Sequence, residues 1–359
     1  MKQYSIAVIP GDGVGQEVTP AAIQVLEAAG RRFGFGFEFT EFAWGGDYYR
    51  AHGRMMPPDG LELLRPMDAI LLGAIGDPKI PDHITLNGLL LPIRRGFDQY
   101  ANVRPAILYP GVSSPLAKPG DIDMVVVREN TEGEYAQVGG FVHHGAPEEV
   151  AIQSAVFTRR GIDRVVRFAF DLARKRNKRK LVTSITKSNA QGFGMVLWDR
   201  AFQIVAAEYP DIQTESLLVD AAAMNFIRRP QSFDVVVASN LFGDILSDVS
   251  AILTGSIGLA PSANLDPTRR NPSMFEPVHG SAPDIAGLGV VNPMAAIFSA
   301  GMMLDHFGEE KAGRAVERAV ADVLARKEVS TPDLGGVAKT AQITEAVIES
   351  MDRQRAAHG

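Results

Sequence analysis

The sequence predicts an α/β protein, and three observations carry that expectation. Short apolar runs of strand length alternate with helix-period segments along most of the 359 residues. Several runs are uninterrupted and Val-rich, as a sheet buried on both faces requires. Strand after strand then ends in polar residues, and in α/β sheets ligands gather at those carboxyl ends.

The first strand, residues 5–9, runs into "IPGDGVGQEV". Gly11, Gly13 and Gly15 give G-x-G-x-G, not the G-x-G-x-x-G of a dinucleotide-binding loop. Asp12 also puts a carboxylate where a pyrophosphate would lie, and like charges repel. No Lys-Ser or Lys-Thr follows the glycines, so a P-loop is excluded too. Further strands are expected at residues 69–73, 124–127, 181–185, 217–219 and 235–238. Helical periodicity covers residues 20–32, 162–174, 192–208, 241–253, 293–306 and 312–325. Residues 130–153 are Gly-rich, with short β-like pieces and no helical period, and read as a projecting hairpin arm. Stretches rich in Pro, Gly and Ser at 105–119 and 255–272 are the boundary candidates in a chain long enough for two domains.

A net charge of −6 gives no electrostatic reason to expect nucleic acid or an anionic membrane as partner. The basic run from Arg174 to Lys180 follows a helix, where cations favour the C-terminal dipole, and lacks interleaved aromatics. It reads as a solvated connection. The absence of cysteine removes disulfide and thiolate chemistry and fits a reducing compartment. The N-terminus lacks the pattern of a signal peptide, and the longest apolar run, 293–304, is too short to span a bilayer. A soluble, cytoplasmic protein is expected.

Polar residues cluster after the buried runs: Arg128-Glu129-Asn130, Lys187-Ser188-Asn189, Asp220 and Ser239-Asn240. The last pair opens a helix carrying Asp244 and Asp248 on one face, at the margin of an apolar stripe of Leu241, Ile245, Val249 and Ile252. Neighbouring carboxylates repel unless a cation intervenes. With Asp220 they would offer three hard oxygen ligands suited to Mg²⁺ or Mn²⁺. Arg94, Arg104 and Arg128 supply the opposite charge and can grip carboxylates by bidentate hydrogen bonds. A small polycarboxylate that also chelates the ion fits both groups.

The motifs "IPGDGVGQEV", "NVRP", "VVREN", "SNLFGDILSD" and "FEPVHGSAPDIAG", followed by "NP", resemble the β-decarboxylating dehydrogenases, over residues 6–347. Within that group "FDQY", "RENTEGEY", "VFTRRG" and "TKSNA" look most like the tartrate/D-malate dehydrogenases. The resemblance implies a two-domain isocitrate/isopropylmalate dehydrogenase-like fold with a mixed sheet, not of the Rossmann type. Its domains would be 1–99 plus 253–359 on the cofactor side, and 100–252 for substrate, metal and dimerisation.

It also implies roles. Arg94, Arg104 and Arg128 would bind substrate carboxylates, with Leu90 and Asn189 beside them, and Asp220, Asp244 and Asp248 would hold the divalent ion. Lys187 would take the hydroxyl proton, a role that needs neighbouring positive charge. Tyr135 would protonate the enol left after CO₂ loss. Lys187 and Asp220 would come from the neighbouring subunit of a homodimer joined by the arm. NAD would lie against Ile75, Glu276, His279, Gly280, Ser281, Ala282, Asp284 and Asn292. Asp284 would engage ribose hydroxyls and repel a 2′-phosphate, which argues for NAD over NADP. A monovalent cation such as K⁺ is a further possible cofactor.

Substrate choice is read from two places. Gly88 and Leu90 stand where isocitrate enzymes carry Ser and Asn, which argues against isocitrate. Ala190 stands where isopropylmalate enzymes carry a bulkier aliphatic residue, although one such contact discriminates by only about 1–3 kcal/mol. The expectation is NAD-dependent oxidation and decarboxylation of D-malate, with action on tartrate. The alternatives are 3-isopropylmalate dehydrogenase and, from another class, a non-enzymatic metal- or nucleic-acid-binding relative.

Overall fold

Parallel strands need long crossovers and antiparallel neighbours need only turns, so the spacing of strands along the chain already shapes the sheet. The computed structural model describes residues 2–356, with side chains described through Arg353. In chain order the strands are β1 (Lys2–Gly11), β2 (Phe35–Glu41), β3 (Ala69–Ala74), β4 (Ala101–Ile107), β5 (Asp123–Glu129), β6 (Gly133–Val142), β7 (Val150–Val156), β8 (Leu181–Thr186), β9 (Gln213–Leu218), β10 (Val235–Ala238), β11 (Pro261–Leu265) and β12 (Ser273–Pro277). All but β6 and β7 form one ten-stranded mixed sheet in the order β2-β1-β3-β12-β11-β4-β5-β10-β8-β9. Both ends of it are parallel, while β12, β11, β4 and β5 pair antiparallel in the middle. β11 against β4 joins strands from residues 2–74 and 261–277 to strands from residues 101–238. β6 and β7 make a separate antiparallel hairpin, the expected arm, with β7 and the outer part of β6 largely exposed.

The helices bury their apolar stripes on this sheet. Helix Met294–His306 is buried nearly all round and packs against helices Gly15–Phe33 and Glu310–Arg326. Helix Arg159–Arg176 packs beside Gly194–Ala206 on the other half. In the opening loop, Asp12 Oδ1 accepts from Gly46 N at 2.7 Å and its Oδ2 from Gly76 N at 2.9 Å. Gly13 sits at φ 52°, and a Cβ there would lie 2.1 Å from the Ser281 carbonyl oxygen. The glycines and the aspartate thus join three loops.

Four expectations are corrected. β11 lies within one stretch taken as a boundary loop (255–272) and β12 follows directly after it, while β4 overlaps the other (105–119) only at 105–107, the rest of that stretch staying irregular. Their inward side chains include Asn102, Asn264 and Glu276, whose buried polar atoms bond one another. Sheet interiors with that composition read as loop. β9 ends at Leu218, and Val219 opens helix Val219–Arg228, so Asp220 lies in a first helical turn and not at a strand end. In helix Asn240–Leu253 the buried face is Phe242, Leu246, Ser250 and Leu253. The stripe that the spacing favoured is turned partly outward: Ile245 is 55% and Ile252 51% exposed, while Leu241 and Val249 are half-buried against the core. This helix carries two apolar stripes, and packing chose between them. Finally, the basic run is not simply a solvated connection: Arg174, Lys175, Arg176 and Lys178 are all ion-paired, and Arg176 binds the nearly inaccessible Asp234.

Candidate active site

Side chains two apart on a strand share a face, which places the first elements of the site. β4 pairs with β5 so that Asn102 faces Arg128 and Arg104 faces Val126, putting Asn102, Arg104 and Arg128 on one side of the sheet. Arg94 arrives from helix Leu91–Gly96, which continues a turn of π-helix at Leu86–Leu90. Tyr135 stands at the base of the arm, on β6. Asp244 and Asp248 come from helix Asn240–Leu253. These elements enclose a cavity of about 650 Å³ whose wall includes Leu90, Arg94, Arg104, Arg128, Tyr135 and Asp244, with Ile75, Glu276, His279 and Gly280.

Three arginines and one tyrosine organise its charge. Arg104 Nη1 donates to Asp244 Oδ1 at 3.2 Å and to Ser247 Oγ at 2.7 Å, and lies 3.5 Å from Asp248 Oδ1. Arg128 Nη1 donates to the same Asp244 oxygen, and Tyr135 donates its hydroxyl to Asp244 Oδ2 at 3.0 Å. Burial works against ionisation of Asp244, yet Arg128, Arg104 and the tyrosine bond outweigh it and hold its carboxyl below the usual range. Burial pushes the Tyr135 phenol up to about 12, with Asp244 adding to the shift. Partial desolvation pushes Asp248 up as well, though its side chain is 58% exposed, Arg104 opposing and Asp244 reinforcing. Burial likewise brings the Arg128 guanidinium down to about 10, which leaves it charged at neutral pH. Arg94 Nη2 donates to Glu276 Oε1 at 2.7 Å, and Asn264 Nδ2 donates to the same oxygen at 2.7 Å. Substrate-side and cofactor-side candidates therefore meet in one buried bond.

Other sequence candidates lie elsewhere. Lys187 Nζ donates to Asp220 Oδ1 at 2.9 Å, which holds the Asp220 carboxyl low. That pair, with exposed Asn189, does not line the cavity of its own chain. Among the described residues no group of three or more His, Cys, Asp or Glu is placed to hold a metal. One chain therefore does not assemble the triple-aspartate set. Ser281, Ala282, Asp284 and Asn292 lie outside the cavity wall. Asn292 Oδ1 accepts from Met294 N at 3.0 Å and its Nδ2 donates to Asp333 at 3.0 Å, a capping arrangement. Sequence reasoning missed Asn87, Glu134, Gln137 and Gln153, which also line the cavity. Isolated amides and a carboxylate carry no spacing signal, whether in the glycine-rich arm or, for Asn87, on the π-helical turn.

Residues 5–347 match the model of a family described as isocitrate/isopropylmalate dehydrogenase. A Bacillus subtilis protein named probable tartrate dehydrogenase/decarboxylase is 54% identical, covering 97% of this chain and 98% of its own. The D-malate dehydrogenase [decarboxylating] of Escherichia coli is 51% identical, with 97% and 98% covered. The isocitrate dehydrogenase structure from Methylococcus capsulatus superposes with a TM-score of 0.87 at 38% identity, covering 97% of this chain and 99% of that one. With the mixed sheet and the arginine-lined cavity already described, these matches carry one conclusion: the chain belongs to the isocitrate/isopropylmalate dehydrogenase family of enzymes.

Proposed function

We propose that this protein oxidises and decarboxylates a small 2-hydroxy diacid, D-malate to pyruvate and CO₂, and also oxidises tartrate. The observation that carries the reading is the convergence of Arg94, Arg104 and Arg128 with Tyr135 on one cavity beside Asp244. The relatives' names supply the substrate class.

NAD suits the loop at His279 and Gly280. A Cβ at Gly280 would meet nothing within 4 Å, and His279 Nε2 is buried without a partner among the described residues. Asp244 and Asp248 offer hard oxygens to Mn²⁺ or Mg²⁺, with Asp220 of a second copy completing the set. When bound, the ion would supply Lewis-acid polarisation of the 2-hydroxyl and its carboxylate, and the nicotinamide would supply the hydride acceptor.

The chain's own residues do the rest. The arginines fix the two carboxylates, and fixing both ends of a diacid orients its C2–H bond. Lys187 of a second copy takes the hydroxyl proton. Tyr135, whose phenol stays protonated at neutral pH, delivers a proton to carbon after CO₂ departs. The need for a second copy is supported by the apolar residues Met224, Ile227, Ile245 and Ile252, all more than half exposed on helices Val219–Arg228 and Asn240–Leu253. Leu86, Leu90 and Leu91 on the cavity wall also suit an isopropyl group, so 3-isopropylmalate is the competing substrate.

The test is NADH formation with Mn²⁺ on D-malate, L-tartrate, meso-tartrate, 3-isopropylmalate and isocitrate, compared by kcat/KM. Preference for a C4 diacid supports the reading. A win for 3-isopropylmalate keeps the chemistry and overturns the specificity. Activity with NADP alone overturns the role given to Asp284.

A further inference from the structure

We infer that Asn240 is a positioning residue that sets the direction of the Arg128 guanidinium and ties it to the strand carrying Tyr135. Both side chains are inaccessible, Arg128 at 2% and Asn240 at 1% exposure. The stem of Arg128 lies on helix Asn240–Leu253 at Gly243, where an added Cβ would sit 2.6 Å from Arg128 Cβ and 2.8 Å from its Cγ. One turn back, Asn240 Oδ1 accepts from Arg128 Nε at 2.9 Å and from Nη2 at 2.7 Å.

That amide closes the Nε–Nη2 edge of the guanidinium, one of the edges by which arginine grips a carboxylate two-handed. Asp244 takes one N–H of Nη1. Of the five N–H donors of an arginine, one on each Nη then remains for a substrate carboxylate. The direction of approach is set by Asn240, not by Arg128 alone.

The other half of the same amide faces the arm. Asn240 Nδ2 donates to the Glu132 carbonyl at 3.0 Å, three residues before Tyr135. Gly133, at φ 74°, passes so near that a Cβ would lie 3.2 Å from Asn240 Cβ. Glu134 reaches back to the helix start, its Oε2 accepting from Leu241 N at 3.3 Å and its Oε1 from Ser239 Oγ at 3.4 Å. The strand is thereby pinned to the helix that presents Asp244 to the Tyr135 hydroxyl. One buried amide links carboxylate recognition to the placement of the proton donor.

This inference rests on the substrate reading above, and its test separates the two. D-malate affinity is measured calorimetrically with Mn²⁺ and no NAD, beside steady-state kinetics. Asn240→Ala is expected to weaken D-malate binding and raise its KM about tenfold, the loss of roughly one charged hydrogen bond, with KM for NAD unchanged. In an Arg128→Lys background the same change is expected to add little, because the partner is gone. Asn240→Asp keeps the acceptor and loses the donor to Glu132, so kcat falls further than affinity does. That isosteric variant stands in if Asn240→Ala fails to fold. Additive effects with Arg128→Lys, or KM for NAD rising in step with that for D-malate, overturn the inference. A wild-type enzyme that neither binds nor turns over D-malate overturns the functional reading instead.

Discussion

The two halves of the proposed site differ in how far one chain completes them. On the cavity side, Arg94, Arg104 and Arg128 are no more than 7% exposed, and each meets a carboxylate of its own chain. On the other side, Lys187 and Asp220 are ion-paired only with each other among the described residues, their side chains 28% and 61% exposed. Charges shielded from water must be compensated where they lie, whereas an exposed ion pair is worth at most about 1 kcal/mol. The first half is therefore locked at folding, while the second half would lose little by leaving its own pair for another copy's cavity, as the proposed function requires. Outward-facing Ile245 and Ile252 lie on the helix that carries Asp244, and Met224 and Ile227 on the one that carries Asp220.

The largest expected effect tests that division directly. Lys187→Ala and Tyr135→Phe should each lower kcat by about 10²–10⁴-fold, the usual worth of a general acid or base. Mixed as random pairs, the two variants should regain about a quarter of wild-type activity, since half of the pairs then hold one intact site. No recovery in verified mixed dimers would mean that each chain builds its own site. Next in size is Ile245→Asp. A charge in a buried apolar contact costs several kcal/mol, so this variant should run as a single chain on size exclusion and lose about 100-fold in rate. A dimeric, active Ile245→Asp enzyme would place the contact elsewhere.

The locked half makes a stability prediction. Glu276→Ala leaves Arg94 as a buried charge without its partner, and should destabilise folding by about 3–5 kcal/mol in urea titrations. Lys187→Ala should change it by less than about 1 kcal/mol. Equal losses would erase the contrast.

The smallest effect concerns a carboxylate with no such compensation. Although Asp305 is exposed, partial desolvation with Glu317 and Glu310 nearby pushes its carboxyl up to about 6, Lys175 opposing. Its ionised form is disfavoured in the folded state, so it weakens the fold above about pH 6. The penalty fades as pH falls toward the unfolded value near 4. Asp305→Asn should raise the Tm by about 2 °C at pH 8, after allowance for solvent screening, and by less at pH 5. A gain that grows on acidification would reverse the sign and refute the assignment.

Much of this was legible in the chain. The Val-rich runs of β5 and β10 and the outline of the arm follow from period and composition, because burial on both faces leaves no other pattern. The site arginines and aspartates announced themselves by charge beside the apolar runs of strands and helices. Less visible were the central strands β4 and β11, where buried Asn102 donates across the strands to Ser262 and Asn264. Composition alone cannot reveal a partner 162 residues away.

By itself, then, the sequence determined the α/β class, the charged residues available to a site and the motifs of the family, all of which depend on local order along the chain. Only the tertiary structure decided which stripe of helix Asn240–Leu253 is buried and which arginine meets which carboxylate. Those outcomes depend on distances between segments far apart in sequence, and packing sets such distances, not periodicity.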